Sequence, residues 1–298
     1  MNTERVKNIL IAALSVVALT LGFMIFVQEG RYTLSGAQEA AIISLLERND
    51  IHISTAQMVT DSRPMRQLAL ERYDYDIDGL AARFFGAEIS NVRIEELGLG
   101  LVAFETDYKA MAYSFQDNWI IFEIPGGISN DAFVAASGAA AARVLAEWYI
   151  EELLDMPPGM EFFRQIINYR GEYVISFFSS YRGHLLYNDH IRVTVTDRGI
   201  IHILYSRVQD NGFIGETQSI FSADEALLAL LNHLRHNLQI EGRIGISNMY
   251  MAYFLVQEGG RSVGVPAYVF TIFLGENLTF NYVFNALTNT YIWHEILR

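Results

Sequence analysis

Nineteen consecutive uncharged residues, ILIAALSVVALTLGFMIFV from Ile9 to Val27, constrain this chain more than any other feature. Wound as a helix they cover about 28 Å at ~1.5 Å per residue, close to a ~30 Å hydrocarbon core, so the run is expected to span a bilayer. Arg5, Lys7 and the terminal amine flank its near end, whereas the far end opens into Gln28, Glu29 and Gly30. That bias places residues 1–8 in the cytosol and everything from about Arg31 onward outside the membrane. A cleavable signal peptide is the competing reading. The run is longer than a hydrophobic region of ~7 to 15 residues, and MIFVQEG offers no small-residue cleavage site. Along the run Ile11, Ser15, Ala18 and Gly22 share one face, and Ala18 with Gly22 forms a small-xxx-small pair. They are the candidate helix-packing interface; an ordinary lipid-facing anchor is the alternative.

The body beyond the run is acidic. The chain carries 34 acidic against 21 basic residues, a formal net charge of -13, with lysine only at Lys7 and Lys109. Such a balance argues against nucleic acid and anionic lipid surfaces as partners of the folded part. No cysteine is present, which excludes a disulfide framework, a thiolate nucleophile and a cysteine zinc site. Half of the residues, 51%, are hydrophobic, enough for packed cores.

The pattern along the body alternates helices with runs of strands. TLSGAQEAAIISLLERND reads as a helix with a capping box between Ser35 and Gln38. Strand-like IHIS and RQLALERY follow, then a helix over IDGLAARFFG stopped by Gly86. Four strand-like runs come next: NVRIEEL, GLVAFET, AMAYSFQ and WIIFEIP. A long helix is expected from about Ser129 to the Pro157/Pro158 pair. After it come strands at EFFRQIINY, EYVISFFSSY, HIRVTVT and IIHILYSRV, with DRG at 197–199 as a hairpin turn. A further helix, SADEALLALLNHLRHN, has Ser222 as cap and Glu225 three places on. Strands at NMYMAYFLV, AYVFTIFL and FNYVFNAL close the chain. The expected class is α+β: an N-terminal transmembrane helix, then two ectodomains built from helices packed on antiparallel sheets in helix-plus-meander units. The expected boundaries are 1–8 cytosolic, 9–27 membrane helix, 31–125 first ectodomain and 126–298 second, with the seam at Ile124–Gly127. Gln209–Glu216 is expected as a loop within the second.

No set of residues reads as a catalytic constellation, so the expectation is a protein without enzymatic activity, cofactor or resident metal. DYDIDG places Asp74, Asp76 and Asp78 where a calcium loop would want its first three carboxylates. Its ninth and twelfth places are Ala82 and Phe85, and no helix leads into it. A helix N-terminus capped by Asp76 or Asp78 is the favoured reading, a weak extracellular-type calcium site the alternative. His233 and His236 lie one turn apart without a third ligand pattern, and read as helix C-terminal residues rather than metal ligands. His184, Asp189 and His190 are expected in a turn, with no nucleophile elbow to serve. The acidic Glu151, Glu152 and Asp155 read as the solvated end of the long helix. LGLGL at 97–101 and EGGRSVG do not join a strand to a helix and read as strand irregularity and hairpin loop. Asn277–Thr279 forms an N-x-T triplet, of consequence only in a eukaryotic secretory pathway.

The order of features resembles the YycI family. A short basic N-terminus, one anchor helix, LSGAQEAAIISLLERNDIHI and LALERYDYDIDGLAARFFG are similar to that family's start. SADEALLALLNHL, followed by GISNMYMAYFLVQEGGRSVGVPAYVFTIFLGENLTFNYVFNALTNTYI, is similar to its end. Tyr268 stands where many members have Trp. The resemblance implies a single-pass bacterial protein with two YycH-like α+β domains. Its implied partners are a WalK-like (YycG-like) sensor histidine kinase and a YycH-like membrane protein, contacted largely through membrane helices, with an effect on cell-wall metabolism. No catalytic residue is implied. The runner-up is an extracytoplasmic PepSY-like inhibitory or peptide-binding module that would use an exposed sheet edge. An anchored cell-wall enzyme ranks last.

Overall fold

A computed structural model describes residues 32–136, 138–168, 170–237, 243–274 and 278–297. The 9–27 run, with Ile11, Ser15, Ala18 and Gly22, lies outside the described residues, as does Asn277 of the N-x-T triplet. Among the described residues no helix is long and apolar enough to cross a membrane.

The described chain is α+β and is dominated by one large, mainly antiparallel sheet of 15 strands. Helix Gly36–Glu47 opens it with the expected capping box, both Ser35 and Gln38 side chains bonding back to the backbone. Then come β1 (Ile51–His52), β2 (Met65–Arg72), helix Ile77–Phe85, β3 (Arg93–Gly98), β4 (Leu101–Glu105), β5 (Ala110–Ser114) and β6 (Trp119–Ile128). The expected long helix is broken into Asp131–Ala136 and Ala139–Leu154. Gly138, at φ +90°, takes a backbone shape no helix accommodates. The first piece is capped by Asn130, whose Oδ1 accepts from the Phe133 N–H at 2.9 Å. Strands β7 (Met160–Ile167), β8 (Tyr173–Tyr181), β9 (His184–Thr196), β10 (Gly199–Ser206) and β11 (Val208–Gln218) precede helix Ala223–Asn237. Strands β12 (Ile244–Glu258), β13 (Arg261–Leu274), β14 (Leu278–Asn285) and β15 (Thr290–Ile296) finish the chain. Gln209–Glu216 is thus not a loop but most of β11, paired with β2 through two irregularities in register.

Each strand's period-two alternation decides which core it feeds. Phe104, Met111, Tyr113, Ile120, Phe122, Ile203 and Tyr205 point to one side of the β3–β10 half, where Leu80, Phe84, Leu145 and Ile150 of the helices meet them. Ile246, Met249, Tyr268, Phe270 and Phe284 point to one side of the β12–β15 half, against Ile42 and Leu46 of helix Gly36–Glu47 and Leu227 and Leu230 of helix Ala223–Asn237. The remaining faces of β8–β9 and β12–β14 meet each other through Phe178, Tyr187, Tyr250, Phe254 and Val269. Four layers result: helix, sheet, sheet, helix.

The cores do not divide at the expected seam. Ile124–Gly127 lies inside β6, which pairs with β10 from the other expected domain. Residues 34–58, expected in the first ectodomain, pack with residues 223–286, and β2 pairs with β11 and β13. One half is therefore discontinuous in sequence, built from residues 34–72 and 208–297, with residues 75–206 forming the other. Strand β9 joins the halves: its early part pairs in parallel with β12 (Ala252↔Leu185, Tyr253↔Leu186), its later part with β10. Only Arg207 separates β10 from β11, so β10, β9, β12, β13, β2 and β11 close a ring. Leu68, Leu70, Leu186, Val208 and Tyr253 fill it.

Candidate functional site

Where the two sheets face each other, polar side chains from five strands replace the apolar packing. Arg192 on β9 makes a two-armed ion pair with Glu295 on β15, Nη1 to Oε2 at 3.1 Å and Nη2 to Oε1 at 2.8 Å. Their side chains are 6% and 11% exposed, so this pair is withdrawn from water. Tyr187 donates its hydroxyl to Glu295 Oε1 and accepts from Asn281 Nδ2 at 2.9 Å. Asn281 also donates to Glu295 Oε1 at 3.0 Å. Its Oδ1 accepts from Thr271 Oγ1 at 2.9 Å and from Arg164 Nη2 at 3.2 Å, while Arg164 Nη1 donates to Thr271 at 2.7 Å. Burial by itself would raise the Glu295 carboxyl. The Arg192 charge and hydrogen bonds outweigh it and hold the pKa at about 2. Burial, then the Arg192 charge, pushes His190 down to about 4, so the ring is neutral near pH 7. Its Nδ1–H donates to the Tyr187 carbonyl at 2.9 Å.

A second set of bonds stitches the joint. Asn188, at the irregular stretch of β9, accepts the Leu255 N–H of β12 at 2.8 Å. Ser206 donates to the Asn188 carbonyl at 2.8 Å, and Asn118 to the Arg207 carbonyl at 2.8 Å. The Tyr75 hydroxyl accepts from the Arg207 N–H at 2.7 Å. Asp189 pairs with Arg207 at 2.5 Å and accepts from Ser179. Burial raises the Asp189 carboxyl, with Arg207 opposing.

Beside the network opens a cleft of ≈ 560 Å³, within the size range of ligand pockets. Trp119, Ile121 and Leu204 form one wall, Phe254 and Trp293 the other, and Tyr187, His190 and Glu295 reach it from the network. Tyr187, Phe254 and Trp293 touch one another, with ring centroids 5.5 to 6.2 Å apart.

Of the residues singled out in the sequence, His190 reaches the cleft and Asp189 belongs to the joint; the others fall elsewhere. Asp76 is the N-cap of helix Ile77–Phe85, accepting from the Gly79 N–H at 3.0 Å, and the exposed Asp74 and Asp78 do not gather with it into a metal-binding group among the described residues. Asp76→Ala is expected to cost about 1 kcal/mol in thermal or urea unfolding; an unchanged midpoint would deny the cap a role. His184, Asp189 and His190 are in β9, not in a turn, and do not converge: His184 packs edge-on against Tyr253 and His190 stacks on Phe178. His233 stacks on Tyr291 with centroids 4.2 Å apart, while His236 donates to the Asn232 carbonyl at 2.7 Å. Asp155 ends helix Ala139–Leu154 at φ 54°. LGLGL and EGGRSVG are hairpin turns, β3 to β4 and β12 to β13. The network and the cleft were missed. Besides His190 and Asp189, which were expected in a turn, their visible signal is Arg192 inside HIRVTVT, a charge in a strand run, which demands a buried partner without saying which.

No protein-family model and no curated protein matches the chain. Similar solved structures include an uncharacterized protein from Eubacterium rectale ATCC 33656, 12% identical over 82% of this chain and 89% of that one, TM-score 0.48. The Bacillus megaterium YpeB C-terminal domain is 13% identical over 76% of this chain and 100% of that one, TM-score 0.35. YycH from Bacillus subtilis is 14% identical over 70% of this chain and 51% of that one, TM-score 0.41. Likenesses of this size carry no argument about activity or partners.

Proposed function

We propose that this chain is a membrane-anchored, non-catalytic regulator whose extracytoplasmic body and anchor bias a WalK-like sensor histidine kinase, together with a YycH-like partner. The observation that carries the reading is the uncharged run 9–27 behind a basic flank, joined to an acidic folded body. The family-like motifs at both ends of the chain support the choice of partner. A regulator of this kind needs only differential contact with two states of the kinase to shift their populations. The buried polar side chains bond to one another and tie the halves together, which suits a body that transmits contact rather than performs chemistry.

The anchor face supplies the test. Ala18→Leu combined with Gly22→Leu is expected to reduce recovery of the kinase in co-purification from membranes several-fold while the variant still inserts, since the larger side chains bar close helix approach. Equal recovery would remove the helix contact from the proposal. A mature chain that begins after Val27 and is released to the medium would remove the anchor itself.

A further inference from the structure

Beyond the closed sheet-to-sheet interface, the same face of the β3–β10 half continues as a floor in which Ala112, Ile121 and Leu204 are half-buried and Ala103 is 5% exposed. On β4, β5, β6 and β10 the cross-strand neighbours Ala103, Ala112, Ile121 and Leu204 form one apolar row. Their alternates along each strand are the side chains packed under the helices, so the row lies on the face opposite to them. At one end the row runs into the cleft between Trp119 and Trp293, the latter 40% exposed. At strand spacing of ~4.8 Å the floor is about 14 Å across, room for roughly three turns of helix laid over it. Ala103 and Ala112 keep the floor shallow, which permits close approach.

The rim is mainly acidic. Glu95 stands across from Ala103, and the adjoining row carries Glu105 and Glu123, all three exposed. None of them has an ion-pair partner among the described residues. Arg93, opposite Glu105, reaches instead to Asp107 at 3.8 Å. Strand addition at the outer edge is a poorer mode of contact. β3 carries Arg93, Glu95 and Glu96 and an irregular register before Gly98, devices that blunt an edge.

We infer that this face docks an amphipathic helix of a partner protein, its apolar stripe on the Ala103–Leu204 row and its Lys or Arg side chains against Glu95, Glu105 and Glu123. The inference rests on the sheet geometry and is independent of the kinase reading, so either can fail alone.

Two of the chain's three tryptophans, Trp119 and Trp293, line the cleft, and the third, Trp148, is on the far helix. Their fluorescence therefore reports the event. The full-length chain in neutral maltoside micelles is titrated with a tryptophan-free 18-residue Leu/Lys amphipathic helix, and with the same peptide bearing Glu for Lys. The Lys peptide is expected to give a saturable spectral shift that survives Trp148→Phe, and the Glu peptide none. Glu105→Lys with Glu123→Lys, both exposed and so harmless to folding, should weaken the Lys peptide by about tenfold or more and admit the Glu peptide. No saturable shift, a shift carried by Trp148, or a charge-reversed variant that titrates like the parent would each overturn the inference.

Discussion

Glu295→Ala is expected to lower the unfolding free energy by roughly 3–5 kcal/mol, the largest single-residue loss away from the apolar cores. The size comes from what remains behind. Arg192 would keep its charge at 6% exposure with no carboxylate opposite, and Tyr187 and Asn281 would each lose an acceptor. Desolvation of both ions is already committed in the folded state, so removing one partner forfeits the attraction and keeps the penalty. Removing both partners differs: Arg192→Met with Glu295→Leu is expected to recover much of the loss, since the charges vanish together. Urea unfolding of the parent, the single variant and the pair measures both quantities. A single-variant loss below about 1 kcal/mol would mean that water entering through the cleft replaces the carboxylate.

Acid is expected to unfold the protein in two stages. His190 comes first. Its folded pKa of about 4 lies below the ordinary 6.5, because burial and then the Arg192 charge disfavour the imidazolium. The unfolded chain takes up a proton that the native ring refuses. Stability is therefore full above pH 6.5 and falls as pH drops toward 4, by about 3 kcal/mol. His202 shifts in the same direction, burial again leading, but its ring is partly exposed and water screens its share. Glu295 acts lower down. Its native carboxyl stays ionised to about pH 2 against an ordinary 4.5, so its contribution is present above 4.5 and lost as pH falls through 2, again about 3 kcal/mol. Unfolding free energies at pH 7, 5.5, 4 and 3 trace both stages. His190→Leu should flatten the upper one and leave the lower one standing. An unaltered slope between pH 6.5 and 4 in that variant would remove His190 from the account.

Most elements of the fold were legible because their signals are local. The Ser35/Gln38 box, Asp76 before Ile77, Gly86 after Phe85 and Ser222 with Glu225 each satisfy orphan amides or end a helix within four residues. Alternation named most of the strands. Misreadings occurred where a local rule met a competing one. Gly138 interrupts a stretch otherwise rich in helix formers, and its left-handed backbone outweighs them. Asn211-Gly212 and Gly215 look like loop, yet β2 accepts them as irregular positions of β11. His184–Asp189 looks like a turn because a polar cluster at the joint of two half-sheets has the composition of one.

The candidate site was nearly illegible. Arg192 announced the need for a partner, but Glu295 is 103 positions later and Arg164 reaches Asn281 across 117. Nothing in the periodicity of five separate strands says which of them will meet.

Legible in the sequence alone are the uncharged run at 9–27, the acidic body, the α+β class, most helix ends and the alternation of most strands. Each of these follows from side-chain chemistry within a few residues. Only the tertiary structure decided that residues 34–72 join residues 208–297, that β9 bridges two half-sheets, and that one sheet face is closed by an ion pair and then left open over Ala112 and Ile121. The reason is that strands of similar alternation are nearly interchangeable locally. The choice among partners rests on long-range burial and on where buried charges find their opposites.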